Sequence, residues 1–146
     1  MHIVIVGCGR VGSGLARELV AEGHSVAVVD KNKKQFRRLG PDFSGSMVEG
    51  SGFDRDALAE AGVGHADALA AVTSGDNSNI LTARIAREHF GVSSVVARIY
   101  DPQRAEVYQR LGIATVATVT WTIDQVRRWL LPTELHTSWT DASGLL

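Results

Sequence analysis

The chain has 146 residues and a formal net charge of −1, with 45% apolar and 21% charged residues. That length suits about one domain, and the apolar share predicts a packed core rather than disorder. A near-neutral charge argues against an extended basic footprint for nucleic acid, the single cysteine, Cys8, excludes an internal disulfide, and no apolar run approaches the ~18 residues of a membrane span.

Met1-His2-Ile3-Val4 opens as a strand, with no basic leader and no cleavage site, so no signal peptide is expected and the cytoplasm is the expected compartment. The strand covers 2–6 and runs into Val6-Gly7-Cys8-Gly9-Arg10-Val11-Gly12. A helix over 10–22 follows, closed by Gly23; then come a strand over 25–29, Asp30, and a helix over 32–39 stopped by Gly40-Pro41. The next strand, 46–48, leads through Glu49-Gly50-Ser51-Gly52 to a helix over 54–61 that ends at Gly62. Strand 68–72 precedes Thr73-Ser74-Gly75-Asp76-Asn77 and a helix over 77–90, closed by Gly91. Strand 94–99 carries Arg98, and Asp101-Pro102 opens a helix over 102–111, with the proline in the first turn where its missing N–H costs little. After Gly112 a last strand is expected over 113–119.

Trp121 to Leu131 carries Ile123, Val126, Trp129 and Leu130 at helical spacing and is stopped by Pro132. The three tryptophans, Trp121, Trp129 and Trp139, all lie in this C-terminal part. They either cover one edge of the sheet or form a partner or oligomer surface, where tryptophan is enriched. Strands alternating with helical crossovers predict an α/β domain built on a doubly wound parallel sheet of six strands. Runs such as Ile3–Val6 and Ala68–Val72 are apolar enough to be buried on both faces. Ligands of such sheets sit at the carboxyl ends of the strands.

The glycine spacing fits a nucleotide loop. Gly7 permits the tight turn, Gly9 lets backbone approach a pyrophosphate, and Gly12 lets the helix pack on the strand. The helix start turns free N–H groups and its positive end toward phosphate. Asp30, 18 residues beyond Gly12, is placed to accept hydrogen bonds from a ribose diol. It disfavours a 2′-phosphate, which Lys31 softens, so NAD or an adenine nucleotide is expected. Arg10 either reaches a terminal phosphate or is a solvated residue at the helix start. Cys8 reads as a small packing residue.

At the same rim, Gly50-Ser51 are placed to flank an adenine, and Thr73 and Ser74 to face ribose or phosphates. Ser74 or Asp76 could instead cap the next helix, and Asn77 and Asn79 could be polar first-turn residues and nothing more. Arg98, ending a buried strand, needs an anionic partner, either a phosphate or Asp101.

Taken together, MHIVIVGCGRVG, VVDKN, VEGSGFD, ADALAAVTSGDNSN and VVARIYDP resemble the regulator-of-potassium-conductance (RCK, or KTN) domain, and more specifically the N-terminal half of Trk-type potassium-uptake regulators. The likeness covers about 1–131, leaving 132–146 as a linker or the start of a further subdomain. It implies a Rossmann-like domain that binds NAD(H), ATP or ADP without turnover, dimerises or assembles into rings, and acts on a membrane potassium transporter subunit from its cytoplasmic side. By the same resemblance Gly7, Gly9, Arg10, Val11 and Gly12 form the phosphate loop, with Arg10 contacting terminal phosphates. Asp30 and Lys31 are the ribose pair, and Gly50 and Ser51 the adenine-flanking turn. Thr73, Ser74 and Gly75 form the loop after the fourth strand, and Arg98 is the basic residue ending the fifth. Many relatives carry Pro-Glu before the last helix, where the glutamate helps hold a divalent cation. This chain has Val119-Thr120, so no such metal site is expected.

An NAD-dependent oxidoreductase is the main alternative. It would need a substrate domain and a proton-transfer group near the nicotinamide. His2, His24, His65 and His89 fall at strand starts, turns or helix ends away from the carboxyl rim, and His136 lies in the tail. A Rossmann-type DNA-binding repressor would need a basic reading helix, which this chain does not offer. No nucleic-acid partner and no direct membrane insertion are expected.

Overall fold

The computed structural model describes residues 1–131. Strands β1 (His2–Val6), β2 (Ser25–Asp30), β3 (Ser46–Glu49), β4 (Ala68–Ala71), β5 (Ser94–Arg98) and β6 (Ala114–Val116) alternate with helices α1 (Arg10–Ala21), α2 (Arg55–Glu60), α3 (Asp76–Arg84) and α4 (Pro102–Arg110) before a last helix, α5 (Thr118–Leu130). The strands form one sheet in the order β3-β2-β1-β4-β5-β6, with every neighbouring pair parallel. The order reverses between β1 and β4, which opens a crevice at their carboxyl ends.

Alternation along β1 divides the core between the two faces. Val4 and Val6 pack with Leu58 of α2 and with Ile80 and Ala83 of α3, whereas Ile3 and Ile5 pack with Ala16 of α1 and with Leu39. β1 and β2 are buried on both faces, as continuous apolar strands should be. β4 is covered on both faces but less completely: Leu69 and Ala71 are buried in one core, and Ala68 and Ala70 are partly buried against the other.

The helix expected over 32–39 is present as a 3-10 helix, Lys33–Leu39. Its apolar contacts, Phe36 and Leu39, are three residues apart, which matches three residues per turn. The helical stretch after β4 is α-helical only to Arg84 and finishes in a π-helical turn, Ile85–His89. The last strand stops at Val116 instead of reaching 119. The β-branched run Thr118-Val119-Thr120 is helical, and the Trp121 N–H already donates to the Ala117 carbonyl at 3.0 Å. The glycines read as helix stops, Gly23, Gly40, Gly62, Gly91 and Gly112, all have positive φ.

No residue of α5 is buried, and Trp121 and Trp129 are 64% and 65% exposed. These two therefore do not seal the sheet edge. Trp139, with Pro132 and His136, lies outside the described residues. Among the described residues no helix is long and apolar enough to cross a membrane.

Candidate functional site

The glycine loop joins the end of β1 to the start of α1, and each glycine has its own steric reason. Gly7 has φ +109°, and a Cβ there would meet the Thr73 nitrogen and the Val72 carbonyl carbon at 2.9 Å. A Cβ on Gly12 would lie 1.7 Å from the Gly7 carbonyl oxygen, so α1 can approach the loop this closely only with glycine at that position. Gly9 differs: a Cβ there would meet no protein atom within 4 Å. The space it leaves faces the cleft rather than the core. Gly9 is also the N-cap of α1 and supplies no side-chain cap. The first helical hydrogen bond is Ser13 N–H to the Gly9 carbonyl at 2.9 Å, so the N–H groups of Arg10, Val11 and Gly12 have no intrahelical acceptor. Three orphan donors at the positive end of a helix dipole make a fitting seat for an anion.

Asp30, at the end of β2, anchors this loop. One carboxylate oxygen accepts the Cys8 N–H at 2.8 Å and the other accepts the Asn32 N–H at 2.8 Å. Each oxygen keeps a lone-pair direction free for a hydroxyl donor. Behind it Cys8 is fully buried, and its thiol donates to the Gln35 carbonyl at 3.3 Å. Burial, reinforced by the Asp30 charge and opposed by Arg38, pushes that thiol up to about 11. It is a packing residue and a poor nucleophile at neutral pH.

The opposite wall is organised by Asn79. This side chain is fully buried in α3, and its Oδ1 accepts both the Thr73 N–H at 2.8 Å and the Thr73 hydroxyl at 2.6 Å. Its Nδ2 donates to the carbonyls of Thr73 at 2.9 Å and Arg98 at 2.8 Å. Asn79 therefore locks the β4 loop to the end of β5, a role that the reading of it as a plain first-turn residue missed. Neither Ser74 nor Asp76 caps α3, whose N-cap is Gly75 without a side-chain bond. The Asp76 carboxylate instead accepts the N–H groups of Tyr100 at 2.7 Å and Asp101 at 3.1 Å, holding the turn after β5. Asn77 accepts a hydrogen bond from Arg104.

Arg98 does not pair with Asp101, whose carboxylate caps α4 at the Gln103 N–H. Its Nη2 donates to the Thr73 carbonyl at 2.9 Å, and its guanidinium carbon lies 5.2 Å from the centroid of the Tyr100 ring. Its Nε is buried without a hydrogen-bond partner, as is the hydroxyl oxygen of Thr82. Orphaned buried polar atoms are rare in folded proteins, and both of these residues line the same cleft.

That cleft has a volume of about 490 Å³, within the usual range for small-molecule sites. It gathers Gly7, Gly9, Asp30, Lys31, Gly50, Ser51, Thr73, Ser74, Gly75 and Arg98 of the expected residues. Arg10, Val11 and Gly12 are not part of its lining; Arg10 and Val11 are exposed at the start of α1, and Gly12 is buried against Gly7. The sequence reading did not single out Asn32, Gln35, Arg38, Phe53, Ser78 and Thr82, which also line it. Ser78 and Thr82 are four residues apart on α3, a spacing that could have revealed a shared face.

The described histidines are remote from this rim. His2 opens β1, and its ring accepts or donates at Ser25 (2.8 Å), donates to the Ala61 carbonyl (2.9 Å) and stacks on His65. His24, His65 and His89 likewise precede strands, at the end of the sheet opposite the cleft. Among the described residues no three His, Cys, Asp or Glu side chains cluster closely enough to hold a metal ion.

A sequence profile of the family described as the TrkA-N domain matches residues 3–119. The Trk system potassium uptake protein TrkA of Streptomyces coelicolor is 63% identical over 144 residues, covering 99% of this chain and 65% of its own length. The chain thus spans just under two thirds of that relative. Among solved structures, the Shewanella denitrificans Kef CTD in AMP-bound form aligns with TM-score 0.76 and 22% identity, over 91% of this chain and 81% of its own. GsuK bound to ADP aligns with TM-score 0.65 and 24% identity, over 80% and 31%. At these identities the two structures establish the fold alone.

Proposed function

Because the chain belongs to the TrkA-N domain family, we propose that residues 1–131 form a regulatory nucleotide-binding unit of a potassium uptake system, with an adenine nucleotide or NAD(H) in the cleft as a signal rather than a substrate. One observation carries the nucleotide side. Three uncapped N–H groups of α1 follow directly on Gly9, whose open side, with the Asp30 carboxylate and the half-satisfied Arg98 guanidinium, belongs to one cleft. Those groups suit phosphate, ribose hydroxyls and phosphate or base, respectively. The same fold carries AMP in the Kef domain and ADP in GsuK, which makes adenine nucleotides the first ligands to test. The potassium-uptake side is supported by the 63% identity to the Streptomyces protein.

In this reading Gly7, Gly9 and Gly12 shape the phosphate loop, and Arg10 and Val11 contribute their N–H groups. The exposed Arg10 guanidinium is free to meet a terminal phosphate of its own or a neighbouring subunit's nucleotide. Asp30 with Lys31 holds the ribose, Gly50 and Ser51 flank the adenine, Thr73, Ser74 and Gly75 close the phosphate side, and Arg98 balances charge. NAD(H), when bound, would supply a redox-active ring, but the described histidines all lie at the far end of the sheet. The unit works by population shift: nucleotide biases a dimer or ring only through different affinities for two arrangements. The exposed apolar face of α5 is the dimer contact, and a membrane-embedded transporter subunit on the cytoplasmic side is the partner.

Calorimetric titration of NADH, NAD, ATP and ADP into the 146-residue chain, followed by analysis of the recovered nucleotide, tests this. We expect saturable binding of at least one, recovered unchanged. No binding by any of the four, or oxidation of NADH in the presence of carbonyl substrates, would overturn it.

A further inference from the structure

The end of β2 carries an unusual charge. Between residues 31 and 38 stand Lys31, Lys33, Lys34, Arg37 and Arg38, and no carboxylate. All five are exposed, and among the described residues none of them is in an ion pair; the ion pairs found are Arg84–Glu88 and Arg128–Asp124. Arg37 and Arg38 use their Nε atoms locally, on the Lys34 carbonyl and the Gln35 side chain. Lys31, Lys33, Lys34 and Arg37, with Asn32, line a shallow depression whose one acidic wall is Glu49. It shares Lys31 and Asn32 with the nucleotide cleft, so the two adjoin at the residues that follow Asp30.

Asp30 is the group that ordinarily keeps a phosphorylated ribose out. Here both its oxygens already accept backbone N–H bonds, from Cys8 and Asn32, which disperses its charge toward the loop. A ribose held at Asp30 has its hydroxyls next to Lys31 and Asn32, at the mouth of the basic depression. We propose that this depression accepts a phosphate carried on the ribose, so that the cleft binds a ribose-phosphorylated adenine nucleotide about as well as its unphosphorylated counterpart. The proposal rests on the nucleotide reading given above. Lys31, Lys33, Lys34 and Arg37 facing one dianion outnumber the two carboxylates nearby, Asp30 and Glu49, and the guanidinium of Arg37 can grip phosphate through two N–H groups.

NADH and NADPH, titrated calorimetrically into the wild type and into the double variant Lys33→Glu/Lys34→Glu, separate the two readings. Lys33 and Lys34 are exposed and line the depression but not the cleft, so the variant should unfold thermally as the wild type does. For the wild type we expect NADPH and NADH dissociation constants within about threefold, and for the variant about tenfold weaker NADPH with NADH changed less than about threefold. Wild-type NADPH binding more than about tenfold weaker than NADH, or equal weakening of both ligands in the variant, would overturn the proposal. Failure of both ligands to bind the wild type would overturn the nucleotide reading itself.

Discussion

The carboxamide of Asn79, fully buried in α3, donates to the main-chain carbonyl of Arg98 at 2.8 Å and so ties the fourth strand's loop to the end of the fifth strand. The same side chain accepts from the N–H and hydroxyl of Thr73. The Thr73 carbonyl in turn accepts from the Arg98 guanidinium at 2.9 Å. One asparagine thus fixes both the loop and the cation that face the cleft.

Replacing Asn79 with leucine should be costly. The Thr73 N–H and the Arg98 carbonyl would lose their partner in a buried setting, and at about 1–3 kcal/mol per orphaned group the variant should lose about 2–6 kcal/mol in urea unfolding. Asn79→Asp keeps the acceptor but loses the donor, so it should fall between the wild type and Asn79→Leu.

The glycines of the loop should separate stability from binding. Gly12→Ala places a methyl 1.7 Å from the Gly7 carbonyl oxygen, so α1 must move away from β1. We expect a loss of more than about 3 kcal/mol, or no folded protein. Gly9→Ala meets no protein atom within 4 Å. It should cost at most about 1 kcal/mol of stability as a poorer helix cap, yet weaken nucleotide binding about tenfold or more because the methyl fills the phosphate approach. Chemical denaturation and calorimetry of the two variants side by side check this contrast.

Cys8 should report its burial through pH. Its thiol is raised from the ordinary range to about 11, so the native state holds the proton longer than the unfolded chain does. Stability is therefore unaffected below the ordinary thiol value and falls as pH rises from there toward about 11. Cys8→Ala should unfold with a weaker alkaline dependence than the wild type. Alkylation of native protein at pH 8 should be far slower than that of urea-unfolded protein.

The last helix should matter for assembly and little for the monomer. Trp121 and Ile123 are 64% and 63% exposed, so Trp121→Ala/Ile123→Ala should change monomer stability by no more than about 0.5 kcal/mol. If α5 is the dimer contact, the same double variant should sediment as a monomer at concentrations where the wild type is a dimer.

Much of this molecule was legible in its sequence because local chemistry and tertiary structure agree. The Ile3–Val6 run and the glycine spacing prescribe a strand, a tight turn and a helix, and the doubly wound parallel sheet and the place of Asp30 at the end of β2 follow from the alternating pattern. The failures share a cause. Thr118-Val119-Thr120 has strand propensity but is helical because the chain turns at Ala117, which only tertiary context decides. Phe36 and Leu39 carry a three-residue spacing too short to distinguish an α-helix from a 3-10 helix. Asn79 looked like an ordinary polar residue because its partners, Thr73 and Arg98, are brought to it by the sheet and not by sequence proximity. Arg98 was recognised as needing a partner. That the partner is a carbonyl and an aromatic ring, with Nε left over, is a property of the assembled rim.

The central claim is that an adenine nucleotide lies between the glycine loop and the rim that Asn79 holds. Amide NMR shifts of the 15N-labelled chain during titration with ADP test it most directly. The account predicts that the largest shifts fall at Gly9–Gly12, Asp30–Asn32, Gly50–Ser51 and Thr73–Gly75, with the strand starts His2, Ser25 and Ala68 unmoved. No shifts at saturating ADP, or shifts confined to α5, would contradict it.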